Sequence, residues 1–265
     1  MRKYIEVFRL SFKMQIIWRF DVMMTMLATF CRIMAGFIVW NVIFENRQTV
    51  AGFTLHSMLS YYIVTSILRS IDFSPQISAE VSSLIRDGKF SGHMVTPIDP
   101  FMFFTSMAAG ETAFHLGFSL IVGAVCAGTF RVNIVLTGDI AHILLAIVMT
   151  SLGLMFNACF QYFIGILSFK IVDTIFLRYT LGNIIAFLTG SMVPLSLLPK
   201  TALSVLEFVP FTHILFTPAM LLTGQMSIKE GLSGFAVLSV WTIIMLAVTQ
   251  YAYRHLRVKY DGVGI

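Results

Sequence analysis

The chain has 265 residues, 57% of them apolar and only 12% charged, with a mean hydropathy of +0.86. That leaves too little polar surface to coat a soluble globule, so a bilayer must serve as its solvent. A net charge of +5 raises nucleic acid as a partner, but no basic cluster is interleaved with exposed aromatics, and nucleic-acid binding is excluded in favour of membrane topology as the source of the charge.

Met1 to Phe20 reads as an amphipathic helix. At helical spacing Tyr4, Ile5, Phe8, Phe12 and Ile16 fall on one side and Arg2, Glu6, Arg9 and Lys13 on another, the pattern of a helix lying in the headgroup plane against membrane lipids. About 20 charged and amphipathic residues precede an apolar run too long for a signal-peptide core, so the segment is not expected to be a cleaved signal. Six apolar runs follow, at Val22 to Phe44, Gly52 to Ser70, Phe101 to Phe130, Ile140 to Phe169, Tyr179 to Leu198 and Leu232 to Tyr253. Each has about 20 residues or more, enough to cross a hydrocarbon core as a helix, and the third and fourth exceed that length.

Basic residues set the orientation. Arg2, Lys3, Arg9, Lys13 and Arg19 group by alternation with Arg69, Arg86, Lys89, Lys170, Arg178, Arg254, Arg257 and Lys259, against Arg47, Arg131, Lys200 and Lys229 on the opposite side. An even number of crossings with both termini in the cytoplasm satisfies the positive-inside rule.

Between the second and third runs, the connection 71–100 carries a short apolar helical stripe of Val81, Leu84 and Ile85 beside Glu80, Arg86 and Asp87, stopped by Gly88 and returned to the membrane through Pro97 and Pro100. A short helix on a firm loop is a docking element. On the other side, the stretch 190–224 is interrupted by Pro194, Pro199, Pro210 and Pro218. Its apolar pieces are too short to span, and the expectation is a re-entrant segment that forms an external gate.

Within the runs three polar residues stand out. Arg32 sits mid-run, where a charge costs about 2.5–3.5 kcal/mol on insertion scales, and Glu111 in the third run is its expected partner. His115 lies one turn beyond Glu111, so the two share a helix face. A satisfied polar contact and a cation or proton site both remain open for that pair. Cys31, Cys126 and Cys159 have no metal-ligand spacing and read as buried apolar residues. The histidines are scattered, no Ser sits in a nucleophile elbow, and Gly88-Lys89-Phe90 lacks the Ser/Thr and upstream glycine of a phosphate-binding loop. No catalytic motif and no metal set is read in this chain.

The loop LIRDGKFSGHMVTPIDPF, the proline-punctuated outer stretch and the terminal RVKYDGVGI resemble the permease subunits of ABC-2 type exporters, particularly the viologen-exporter-like or multidrug-type bacterial branch. The resemblance covers nearly the whole chain. It implies an all-α polytopic membrane protein forming one domain over 1–265, with six transmembrane helices, the N-terminal interfacial helix, a cytoplasmic coupling helix and outer re-entrant helices. It further implies two permease subunits, identical or homologous, and separate cytoplasmic ABC ATPases that bind ATP and Mg. The coupling residues would be Glu80, Leu84, Ile85, Arg86, Asp87 and Lys89, with Leu84 or Ile85 as apolar anchor. Tyr61, Tyr62, Thr65 and Ser66 on the second run and Asn183, Phe187, Thr189 and Met192 on the fifth would line the export path. The expected cargo is amphipathic, hydrophobic or cationic, and the expected location a bacterial inner or plasma membrane. A passive channel or scaffold without ATPase coupling is the alternative.

Overall fold

In the computed structural model, residues 2–171, 174–191 and 194–259 are described. They form eleven α-helices joined by turns and short 3-10 segments. Four helices are long and apolar enough to cross a membrane: α2 (Arg19–Phe44), α6 (Pro100–Thr129), α7 (Ile140–Ile166) and α11 (Ile228–Leu256). At 1.5 Å per residue they run about 39 to 45 Å. The chain is an all-α polytopic membrane protein.

Their starts are capped by local chemistry. Asp99 accepts from the Met102 amide at 2.9 Å ahead of α6, with Pro100 at the first helical position. Asp139 accepts from the Ala141 amide at 3.0 Å ahead of α7, and Ser227 and Glu230 form a capping box at α11. Each cap satisfies amides that the first turn leaves without partners.

The chain passes between the two ends of the bundle six times, and two passes are broken. The second consists of α3 (Leu55–Ser70) and α4 (Ser74–Arg86), interrupted at Ile71-Asp72-Phe73. The Asp72 carboxyl accepts from the Ser74 amide at 3.0 Å and from the Asn157 side chain of α7 at 2.6 Å, which pins the break. The fifth consists of α8 (Ile175–Leu188) and α10 (Thr212–Leu222), with a detour through α9 (Lys200–Leu206) between them. Thr212 donates to Leu188 O at 3.4 Å, and Leu222 O accepts from the Thr137 amide at the far end.

Both described termini lie at one end, here called proximal. Lys3 donates to Pro97 O, Phe101 packs on Tyr162 and Tyr162 on Tyr253. The opposite, distal end carries Phe44, Phe53, Phe130 and the start of α7. This is the geometry an even number of crossings requires.

Several details differ from the sequence expectations. The N-terminal helix α1 (Arg2–Ile17) packs lengthwise along the first turns of α6, where Gly110 admits the Phe8 carbonyl and Ser11, and Phe12 meets Phe114 edge-on at 5.3 Å. Its apolar side is thus divided between α6 and the exposed Ile5 and Ile16. Cys31 is exposed on α2, whereas Cys126 and Cys159 are buried.

The stretch 71–100 also divides. Its first half, α4, is an internal strut rather than an exposed docking helix. Ser74, Ser78 and Ser82 recur every fourth residue and are buried, and a Cβ on Gly165 of α7 would lie 2.8 Å from Val81 Cβ. Small residues on facing helices allow this close approach, which is how membrane helices associate without a hydrophobic driving force.

Candidate functional site

The proximal tip is built on that strut. The chain leaves α4 through Gly88 at φ +74°, a left-handed conformation that glycine adopts without strain, and the Phe90 amide returns to Leu84 O at 3.0 Å. Phe90 is wholly buried, 5.4 Å from the Phe169 ring at the end of α7 and 6.4 Å from Tyr253 of α11. The short helix α5 (Ser91–Val95) follows, with His93 against Phe103 and Phe104 at 5.2 Å each. Burial among these rings pushes the His93 imidazole below its ordinary value, which keeps it neutral at pH 7.

This anchoring exposes a small knob. Arg86 and Asp87 stand 4.0 Å apart with nearly half of each side chain exposed, Lys89 is exposed, and Val95 is 83% exposed. Of the expected coupling residues, Arg86, Asp87 and Lys89 therefore lie on the knob, and Glu80 and Leu84 are partly buried. Ile85 is 3% exposed and packs inside the bundle. It cannot serve as a free anchor. Val95 is the large apolar side chain that the knob leaves exposed, and its signal in the sequence is an aliphatic residue just ahead of Thr96 and Pro97.

The expected path residues are not gathered around one space. Tyr61 and Thr65 are buried joints, the Tyr61 hydroxyl donating to Gly190 O at 3.2 Å and Thr65 to Tyr61 O at 3.0 Å. Ser66 is also buried. Tyr62 is partly buried against α2. Asn183 and Phe187 point away from the bundle on α8, a helix with Ala186 as its single buried residue. Thr189 faces a cavity of about 180 Å³ that is also lined by Arg69, Asp72, Asn157 and Gln161. Met192 lies outside the described residues, as do the last six residues of the terminal motif.

The intramembrane polar residues are also rearranged. Arg32 and Glu111 do not pair: Arg32 has Arg69 and Tyr62 as its electrostatic neighbours, while Glu111 has Glu80 of α4. His115 meets Gln15 of α1 at 3.3 Å and lies 4.4 Å from the Phe73 ring. Sequence reading missed Arg69, Asp72, Asn157 and Gln161. Arg69 was assigned to the cytoplasmic flank because the apolar run stops at Ser70, and the serine-rich α4 that continues the pass does not register as apolar.

The described residues thus form a bundle of membrane-spanning helices that brings both described ends together, carries an anchored polar knob there and bears broken passes inside. Residues 30–264 match the family described as ABC-2 family transporter protein, and the chain belongs to that family. Its members are non-catalytic membrane permeases that work with ABC ATPase subunits. No curated protein and no solved structure matches the chain.

Proposed function

We propose that this chain is the permease subunit of an ATP-driven exporter that moves an amphipathic or hydrophobic small molecule out across the cytoplasmic membrane. Two such subunits, identical or homologous, pair in the membrane with both termini cytoplasmic, and separate ATPase subunits bind ATP and Mg. The observation that carries the reading is the knob of residues 86–97. It is charged, exposed at the end that holds both described termini, and rooted through Phe90 against Phe169, just past α7, and Tyr253 of α11.

The geometry suggests how force would travel. Closure of the ATPases presses on the knob, and α4 carries the push as a rigid strut because Val81 is locked against Gly165. The pinned break at Asp72 passes it to α3, where the Tyr61 bond to Gly190 leads into the detour of the fifth pass. That detour, from Pro194 to Pro210, is the proposed outer gate. A passive channel or scaffold leaves the anchored knob without a use.

The test is co-purification of the permease with candidate ABC ATPases from the same genome, together with cargo-stimulated ATP turnover. Val95→Asp is expected to abolish both while membrane insertion stays normal. An unchanged yield of ATPase with that variant removes the knob from the reading.

A further inference from the structure

Arg32 lies one turn before Gly36 on α2, and the Tyr62 ring of α3 sits directly against Gly36, with its Cζ 2.7 Å from where a Cβ would be. The two helices run antiparallel, so moving back one turn on α2 corresponds to moving forward on α3, toward Arg69. The two guanidiniums are electrostatic neighbours, and both act on the Tyr62 hydroxyl. Arg69 Nη1 donates to Ser191 Oγ at 2.6 Å. Arg32 Nη1 is buried and has no hydrogen-bond partner.

No carboxylate among the described residues pairs directly with either guanidinium, since neither has a carboxylate oxygen within 4.0 Å. Asp72 feels the charge of Arg69, but its oxygens are already engaged by Asn157 and Ser74. Two adjacent cations without a directly paired carboxylate are unfavourable in an apolar segment on both desolvation and repulsion. Guanidinium groups are suited to bidentate recognition of carboxylates and phosphates. Adjoining the pair is a groove of about 440 Å³, walled by Gly36, Val39, Trp40 and Ile43 of α2 with Tyr62 and Leu197, and reaching Arg47 at its distal mouth. It begins one turn from Arg32, so a charged head and an aliphatic tail have adjacent places.

We propose that Arg32 and Arg69 with this groove bind the cargo, and that the cargo is a single-chain amphiphile with an anionic carboxylate or phosphate head. The head bridges the two guanidiniums and the tail follows α2 toward the distal end. This deepens the transport reading and rests on it for the role of cargo. It replaces a cationic cargo, which the pair repels.

The test uses the full-length permease in phosphatidylcholine nanodiscs, without ATPase, and the fluorescent probe 11-(dansylamino)undecanoate beside its methyl ester. The acid is expected to bind about tenfold or more tightly than the ester, since a hydrogen bond to a charged group contributes about 1.5–3 kcal/mol. Arg32→Gln and Arg69→Gln should each lose a similar factor, and Arg32→Lys, which keeps the charge but not the planar fork, should lose less than Arg32→Gln. Melting temperatures in the same discs show whether a variant is folded. Competition on the unaltered protein keeps the test decisive even if a variant unfolds: dodecyl phosphate should displace the probe and dodecyltrimethylammonium should not. Equal binding of acid and ester, or equal displacement by the cation, overturns the proposal. Phosphatidylglycerol that copurifies and resists displacement by the probe assigns the site to a structural lipid and also overturns it. Because binding is read on the permease alone, a failure of ATPase coupling leaves this result standing and is scored separately.

Discussion

Helices α4 and α8 invert what their sequences suggest. The first is polar, with Glu80, Arg86 and four serines, yet six of its thirteen residues are buried between α6 and α7; the second is apolar, yet Ala186 alone of its fourteen residues is buried. Hydropathy measures preference for an apolar medium, and lipid and protein interior are equally apolar. What separates the two helices is residue size. α4 places small hydroxylated residues against a glycine, which lets backbones approach, while α8 presents Phe176, Tyr179, Ile184 and Phe187 outward.

The contrast can be tested directly at two glycines. In Gly165→Val the new Cβ meets Val81 Cβ at 2.8 Å and Ser78 Cα at 3.3 Å, neither of which can swing aside. Overpacking of this kind costs about 1–3 kcal/mol, and both the melting temperature in detergent and any ATPase coupling should fall. Gly182→Val on α8 has nothing within 4 Å of its Cβ and should leave the isolated chain's melting temperature unchanged. If α8 pairs with a second permease, the same variant lowers the recovery of dimer. Equal destabilisation by the two changes would dissolve the distinction between strut and lipid-facing helix.

Much of the fold was legible because long runs of one composition dominate it. The starts of α6 and α7 fall within a residue of the apolar runs, and the proline-broken stretch does divide into short helices. The broken second pass was not legible. Asp72 and the serines of α4 end the apolar run, and serine hydroxyls that satisfy one another, as Ser82 does with Ser168 and Thr174 at 2.8 and 2.6 Å, are indistinguishable in sequence from a solvated loop. For the same reason the sequence puts Arg69 at the end of a run rather than inside a pass that α4 continues, and pairs its neighbour Arg32 with Glu111, which instead has Glu80 as its electrostatic neighbour. Pairing between helices depends on rotation about each axis, which a single sequence leaves free.

The buried and exposed faces of the strut can be separated within one turn. Ile85→Asp places a carboxylate beside Val81 and Phe90 in the packed interior, and burying it without a partner should cost several kcal/mol and reduce folded protein. Asp87→Ala, two residues on, changes an exposed side chain whose Arg86 pairing contributes about 0–1 kcal/mol. Folding should be unaffected, and any loss should appear only in ATPase recovery. Phe90→Ala separates the two roles in another way. Removing a fully buried ring costs about 3–5 kcal/mol, concentrated where the knob is rooted, so residual ATPase association should outlast the stimulation of ATP turnover by cargo.

The smallest effects are expected on the fifth-pass detour, where accessibility rather than stability is the readout. Single cysteines at Ser204 and Thr212, in a background without Cys31, Cys126 and Cys159, sit on opposite sides of Pro210. Ser204 is exposed on α9, whereas Thr212 is 1% exposed and donates to Leu206 O at 3.0 Å. A membrane-impermeant thiol reagent added from outside should therefore modify the cysteine at 204 quickly and the one at 212 slowly, with little change in melting temperature for Ser204→Cys. If the detour is a gate, trapping ATP on the partner should raise the rate at 212, because opening separates α10 from the α8 end at Leu188. A rate at 212 that is slow and indifferent to nucleotide would make α10 a fixed wall like α7, and would leave α8 as the only mobile part of the fifth pass.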